Sequence, residues 1–260
     1  MLERLARLGY ASKAVIYGIV SVLATLTVMN RGGSITDSSG ALRVALSQPF
    51  GRTLLVMLAV GLCGYGAWRW LDAIADPDHE GTNFAGLSER IGKAVRGTIY
   101  GALGLEAIRL LRGIRRPSGD PAELWTARLI AFPFGEVAVG IAGAIAAVYG
   151  ASIFVQAIRG THDAKIDWSC IRSELRRIAH AVSRFGVAVR GALIATLGAS
   201  LVRAALTRDP DQAAGPRESI LQLGGLMEGR WFLALIAIGL MAYAVDQAVH
   251  ASCRRIRPVV

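Results

Sequence analysis

Arg7-Leu8-Gly9-Tyr10-Ala11-Ser12-Lys13-Ala14-Val15-Ile16-Tyr17-Gly18 decides the fold, because its pattern recurs. Arg90-Ile91-Gly92 is followed at the same spacing by Arg96-Gly97 and Tyr100-Gly101. Arg184-Phe185-Gly186 is followed by Arg190-Gly191, with Ile194 where the other two copies have tyrosine. A second block repeats as well. Gln48-Pro49-Phe50-Gly51-Arg52 aligns with Phe132-Pro133-Phe134-Gly135-Glu136 and, more faintly, with Glu228-Gly229-Arg230. Tyr65, Tyr149 and Tyr243 then occupy one position in three later runs. Self-similarity at a fixed period marks an array of one structural unit. Here the unit occurs three times.

Each copy contains two apolar runs. A helix rises 1.5 Å per residue, so about 20 mostly apolar residues cross the ~30 Å hydrocarbon core. Val137 to Ile158 carries no charge; Ala14 to Met29, Thr53 to Trp68 and Trp231 to Val245 are also uncharged. Phe185 to Val202 qualifies with Arg190 near one end. Ala94 to Leu111 is broken by Arg96, Glu106 and Arg109, and only its equivalence to Ala14 to Met29 argues that it crosses. The expected fold is all-α: a polytopic membrane protein with six transmembrane helices arranged as three repeated helical hairpins with short interfacial helices. The units are 1–83 (spans about 10–29 and 53–75), 84–177 (about 94–111 and 136–158) and 178–260 (about 185–206 and 231–251).

Composition agrees. The 260 residues are 53% hydrophobic and 18% charged, against about 25% charged in soluble domains, and mean hydropathy is +0.44. Lys and Arg number 29 against 19 Asp and Glu, a net charge of +10. Basic balance suits nucleic acid or anionic lipid. Without a folded basic domain or interleaved aromatics to stack bases, the expected partner is the lipid bilayer, with anionic phospholipid, and not nucleic acid. More than half of the basic residues fall on the side of the termini, which places both termini in the cytoplasm and the chain in the cell's inner (plasma) membrane as a multi-pass protein. Asn30-Arg31-Gly32-Gly33 provides no small-x-small cleavage site after the first run, so that run is expected to stay as an uncleaved span. Cys63, Cys170 and Cys253 form no CxxC pair, which argues against a disulfide framework and a zinc ribbon.

Between the spans, Asp120-Pro121-x-Glu123 reads as a helix start. Ser39 to Ser47 and Pro216 to Leu223 look like its counterparts. At about ten residues, roughly 15 Å, these helices are too short to cross and should lie in the interface. Ile171 to Phe185 reads as a separate basic surface helix on anionic headgroups.

The repeated residues resemble a bacterial membrane-protein family known as domain of unknown function 1206. The resemblance is carried by Ala6-Arg7-x-Gly9-Tyr10-x-x-Lys13, Gly40-Ala41-Leu42, Gln48-Pro49-Phe50-Gly51-Arg52, Gly61-Leu62-x-x-Tyr65-x-x-Trp68-Arg69 and Asp76-Pro77-Asp78. It covers essentially the whole chain and is strongest in the first copy. It implies three tandem two-helix repeats and no assigned activity.

Three sets of residues could carry chemistry. Lys13, Arg96 and Arg190 share one position about a turn inside the cytoplasmic end. They either snorkel to the headgroups or converge around an anion or lipid headgroup. Glu106, Asp246 and Asp72 are acids at membrane depth, where a carboxylate is costly and tends to be paired or functional. Arg109, His250 and Arg69 lie within one turn of them. Gly97, Gly101 and Gly104, with Gly18 and Ala14 in the first copy, read as close helix packing, and Tyr65, Tyr149 and Tyr243 as interface anchors. Asp76-Pro77-Asp78-His79-Glu80 and Thr161-His162-Asp163 read as helix-ending loops rather than a metal shell. No catalytic residue set, cofactor motif or metal site can be assembled. Two functional classes remain: a non-enzymatic lipid- or partner-binding membrane module, and a small solute or ion transporter or channel with a pseudo-threefold interior.

Overall fold

A computed structural model describes residues 2–76, 81, 83–114, 126–129, 132, 134–161, 167–213, 215–226 and 230–254. Among the described residues, eight α-helices of ten residues or more carry the architecture: α1 (Leu2–Val28), α2 (Ser38–Ser47), α3 (Gly51–Ala75), α4 (Phe84–Leu111), α5 (Gly135–Arg159), α6 (Ser173–Thr207), α7 (Pro216–Leu226) and α8 (Arg230–Cys253). Among the described residues, five helices are long and apolar enough to cross a bilayer: Arg4–Val28, Gly51–Ala75, Gly135–Arg159, Ser173–Thr207 and Trp231–Cys253. The chain is therefore an all-helical membrane protein. Helix α4, at 28 residues and about 42 Å, has the length but is interrupted by Lys93, Arg96, Glu106 and Arg109.

Local sequence explains the boundaries. The Asp37 carboxylate accepts from the Gly40 amide at 2.8 Å and starts α2; the Asn83 side chain accepts from Gly86 at 2.8 Å and starts α4. Helices α3 and α5 open on the repeated Phe-Gly step, with Phe50 at φ 61° and Phe134 at φ 62°. A Cβ on Gly51 would lie 2.3 Å from the Leu46 carbonyl oxygen, so this corner requires glycine. Both phenylalanines are exposed.

The six long helices stand side by side in the order α4, α3, α1, α8, α6, α5. Helix α2 packs on α1, α3 and α4, and α7 on α6 and α8. Neighbours from different copies approach most closely where glycine removes the side chain. A Cβ on Gly66 (α3) would lie 2.9 Å from the Gly101 Cα (α4), and one on Gly198 (α6) 2.2 Å from the Ala147 nitrogen (α5). Without a hydrophobic driving force between helices in lipid, such van der Waals contact supplies much of the association. Gly18 departs from that expectation: a Cβ there would meet nothing within 4 Å.

The recurring Arg7, Arg90 and Arg184 fasten one copy to the next. Arg7 donates to the Ala251 and Ser252 carbonyls of α8 at 2.9 and 2.6 Å. Arg90 donates to Ala73 and Ile74 of α3 at 2.8 and 3.1 Å. Arg184 donates to Ala157 of α5 at 3.0 Å and to Ile158. Each guanidinium thus caps the orphan carbonyls at a helix C-terminus, where a cation is also favoured by the dipole.

Two expectations are corrected. No separate surface helix covers Ile171 to Phe185, because α6 runs unbroken for 35 residues from Ser173 and carries that basic stretch as its first turns. Cys170 and Cys253 form a disulfide across 83 residues of sequence, with their Cα atoms 5.9 Å apart. Spacing along the chain excludes only local pairs; here the end of α8 meets the turn before α6, where the Asp167 amide donates to the Cys253 carbonyl at 2.8 Å. The expected helix start at Asp120 to Glu123 and most of the Asp76 to Glu80 and Thr161 to Asp163 stretches lie outside the described residues.

Candidate functional site

Lys13 is buried near the middle of α1. It does not snorkel. Its ammonium stands 5.0, 4.7 and 4.7 Å from the ring centroids of Tyr10, Tyr65 and Tyr100 and donates to the Tyr65 hydroxyl at 3.5 Å. The three aromatic faces come from α1, α3 and α4. They hold one another edge to face, with centroids 5.2 Å apart for Tyr10–Tyr65 and for Tyr65–Tyr100, a geometry that aligns ring edges with negative ring faces.

The other two repeat cations follow the same rule. The Arg190 guanidinium lies 4.9 Å from the Tyr243 ring, and Arg96 donates to the Tyr149 hydroxyl at 2.7 Å with its guanidinium 5.9 Å from that ring. Each repeat therefore pairs the cation of its first long helix with the tyrosine of its second. The layer is continuous: the Tyr17 and Tyr100 hydroxyls are 3.3 Å apart and the Tyr17 ring meets Tyr243 at 4.7 Å. Among the described residues no carboxylate forms an ion pair with Lys13 or Arg190, whereas Arg96 reaches Glu89 at 3.7 Å.

The three acids sit apart from that triplet. Asp72 binds Arg69 at 2.8 Å and Lys93 at 3.4 Å, all buried, and so joins α3 to α4. Arg69 continues to the layer, donating to the Tyr65 hydroxyl at 3.1 Å and to Tyr10 at 3.0 Å. Asp246 accepts from Ser183 and from Gln247 and meets His250 at 3.4 Å, which ties α8 to α6. Glu106 faces Arg109 at 4.0 Å within α4. The structure sets each cation on a tyrosine of its own repeat and leaves each acid with its own local partners.

Sequence reasoning missed that the cation and tyrosine triplets are one feature. The separations carry the signal: Lys13 precedes Tyr65 by 52 residues and Arg96 precedes Tyr149 by 53. It also missed Tyr10, Lys93 and Arg254, which no threefold pattern exposes. Arg254 donates to the Tyr10 hydroxyl and lies 5.5 Å from the Trp68 ring.

A family model described as Domain of Unknown Function (DUF1206) matches the chain three times, over residues 8–76, 91–160 and 185–254. The chain is 30% identical over 244 residues to "Uncharacterized protein YxxB" of Bacillus subtilis (strain 168), covering 94% of this chain and 88% of that protein. No solved structure matches.

Proposed function

The chain belongs to the DUF1206 family, and we propose that it is a six-span module of a bacterial inner membrane that holds a phosphate-bearing anion, the headgroup of an anionic phospholipid, at its cation–tyrosine layer. The three repeats are then two-span units over about 1–83, 84–177 and 178–260. Helix α4 supplies the sixth span: it packs along α3, and its charges have partners on neighbouring helices, Lys93 on Asp72 of α3 and Arg96 on Tyr149 of α5. Paired ionisable groups facing other helices are tolerated at membrane depth.

One observation carries the anion proposal. Lys13 and Arg190 are sheltered cations whose described partners are tyrosines. A desolvated cation–π contact returns about 2 kcal/mol, while burying an ion costs several. An anion at the layer offsets the difference, meeting it where Arg190 and Arg96 keep part of their surface. A headgroup fits better than a transported solute because Tyr65, Tyr100 and Tyr243 are buried and fill the layer.

Native mass spectrometry of the intact protein from phosphatidylglycerol–phosphatidylethanolamine nanodiscs tests this. Wild type should retain phosphatidylglycerol, and the Lys13→Gln, Arg190→Gln double variant should lose it. Inorganic phosphate in a second arm distinguishes a free anion from a lipid. A folded double variant that keeps its lipid overturns the proposal.

Following the basic bias, we place both termini in the cytoplasm. Disulfides are rare in that compartment, so the Cys170–Cys253 bridge of the structure should be reduced in the cell and form on oxidation; cells alkylated before lysis should show both cysteines as thiols. An oxidised pair reverses the orientation.

A further inference from the structure

Within a copy, the two long helices meet along a seam, and the three seams differ. A Cβ on Gly9 would lie 2.3 Å from the Tyr65 Cβ, and one on Gly186 2.2 Å from the Tyr243 nitrogen. At the equivalent Gly92 a Cβ would meet only the Arg96 guanidinium, at 3.6 Å. Further along the seam, a Cβ on Gly61 would lie 2.1 Å from the Ser12 hydroxyl, and one on Gly239 2.4 Å from Val189. The second copy has Ile145 and Val95 at those two positions. Ser12 and Ile16 are 3% and 1% exposed, but their equivalents Val95 and Ile99 are 51% and 57%, and Ile145 is 65%. Among the described residues α4 and α5 do not pack backbone to backbone. Arg96 bridges them through the Tyr149 hydroxyl.

We infer that the α4–α5 seam is a binding groove for one anionic phospholipid, with an acyl chain between Val95, Ile99, Ile145 and Val148 and its phosphate at Arg96. The inference rests on the headgroup proposal above and specifies the route by which that headgroup reaches the layer. Three features select this occupant. The walls are apolar and open sideways, so in a bilayer they face lipid chains. The guanidinium at one end offers the matching charge for a phosphate, and its Nε is buried without a hydrogen-bond partner. Tyr100, one turn after Arg96 in α4, is a wall of the Lys13 site, so a phosphate held at Arg96 adjoins the cation layer. In the first and third copies the same space is filled by the chain itself, so among the described residues the open seam is the one between α4 and α5.

A photoreactive p-benzoylphenylalanine at Ile145 in the full-length protein, reconstituted in equimolar phosphatidylglycerol and phosphatidylethanolamine, tests the groove, with Val22 of α1 as an exposed control. Adducts at Ile145 should be enriched about fivefold in phosphatidylglycerol over the control, the factor expected for one basic contact to an anionic lipid. Arg96→Gln should abolish the enrichment, and Arg96→Lys should restore part of it. A crosslink to a second copy of the chain overturns the inference in favour of a self-interface. Equal adducts at both sites, or enrichment unaffected by Arg96→Gln, also overturn it. Filling the groove with Val148→Trp separates the two proposals. If the nanodisc lipid is retained despite Val148→Trp but lost in the Lys13, Arg190 double variant, the groove fails while the cation layer stands.

Discussion

The α1–α3 seam and the α4–α5 seam are built from equivalent positions and end in opposite states. In the first, Gly61 lets α3 lie against Ser12, and Gly9 lets α1 lie against Tyr65. In the second, Gly92 is retained but Ile145 and Val95 face the gap, and both are exposed. Two added side chains hold the helices apart even though the opposing glycine would permit contact. A repeat can thus keep its backbone frame and its cation–tyrosine pair while one seam becomes a groove. The groove has a mechanical consequence: among the long helices, α4 packs against α3 and α5 packs against α6.

The largest effect is expected where α4 is anchored. Asp72→Ala removes the carboxylate that the buried Arg69 and Lys93 share, and breaking a buried pair costs about 3–5 kcal/mol. Thermal unfolding in detergent should show that loss, with α4 the first helix exposed to proteolysis. A near-wild-type melting curve would mean that α4 has support elsewhere.

The glycines compare the seams directly. Gly9→Ala and Gly186→Ala force a Cβ into backbone or its nearest side-chain carbon and should cost about 1–3 kcal/mol. Gly92→Ala meets open space and should be neutral or gain up to about 1 kcal/mol from helix propensity. Equal destabilisation at all three positions would show that the second seam closes in the membrane.

A smaller effect is expected at the caps. Arg90→Ala removes two hydrogen bonds to the end of α3 and should lower stability by about 1–2 kcal/mol, again read as a melting shift. The smallest is at Arg208, whose ion pair to Glu136 at 2.7 Å ties α6 to α5 from an exposed position. Arg208→Ala should change stability by less than about 1 kcal/mol. A larger loss there would mean that α5 depends on that end for its place.

Much of this architecture was legible in the chain. Apolar length marked Val137 to Ile158 as a span because hydrocarbon thickness sets a fixed residue count. The Ser39 to Ser47 helix was legible as a repeat counterpart of about ten residues, while its cap, Asp37 on the Gly40 amide, came from the structure. The candidate site was legible only in part. Lys13, Arg96 and Arg190 stood out as a triplet, but nothing near Lys13 in sequence says that Tyr65 and Tyr100 box it in. The Cys170–Cys253 bridge was hidden for the same reason, because cysteines far apart in sequence meet only once the helices have packed.

By itself, the sequence determined the solvent, the helices and the threefold repetition, since each depends on local composition and period. Tertiary structure alone decided which helix lies beside which, and so which cations lack a carboxylate and which seam stays open. Those outcomes depend on side-chain volumes meeting across helices, such as Ser12 on Gly61 against Val95 facing Ile145. No window along the chain contains both partners.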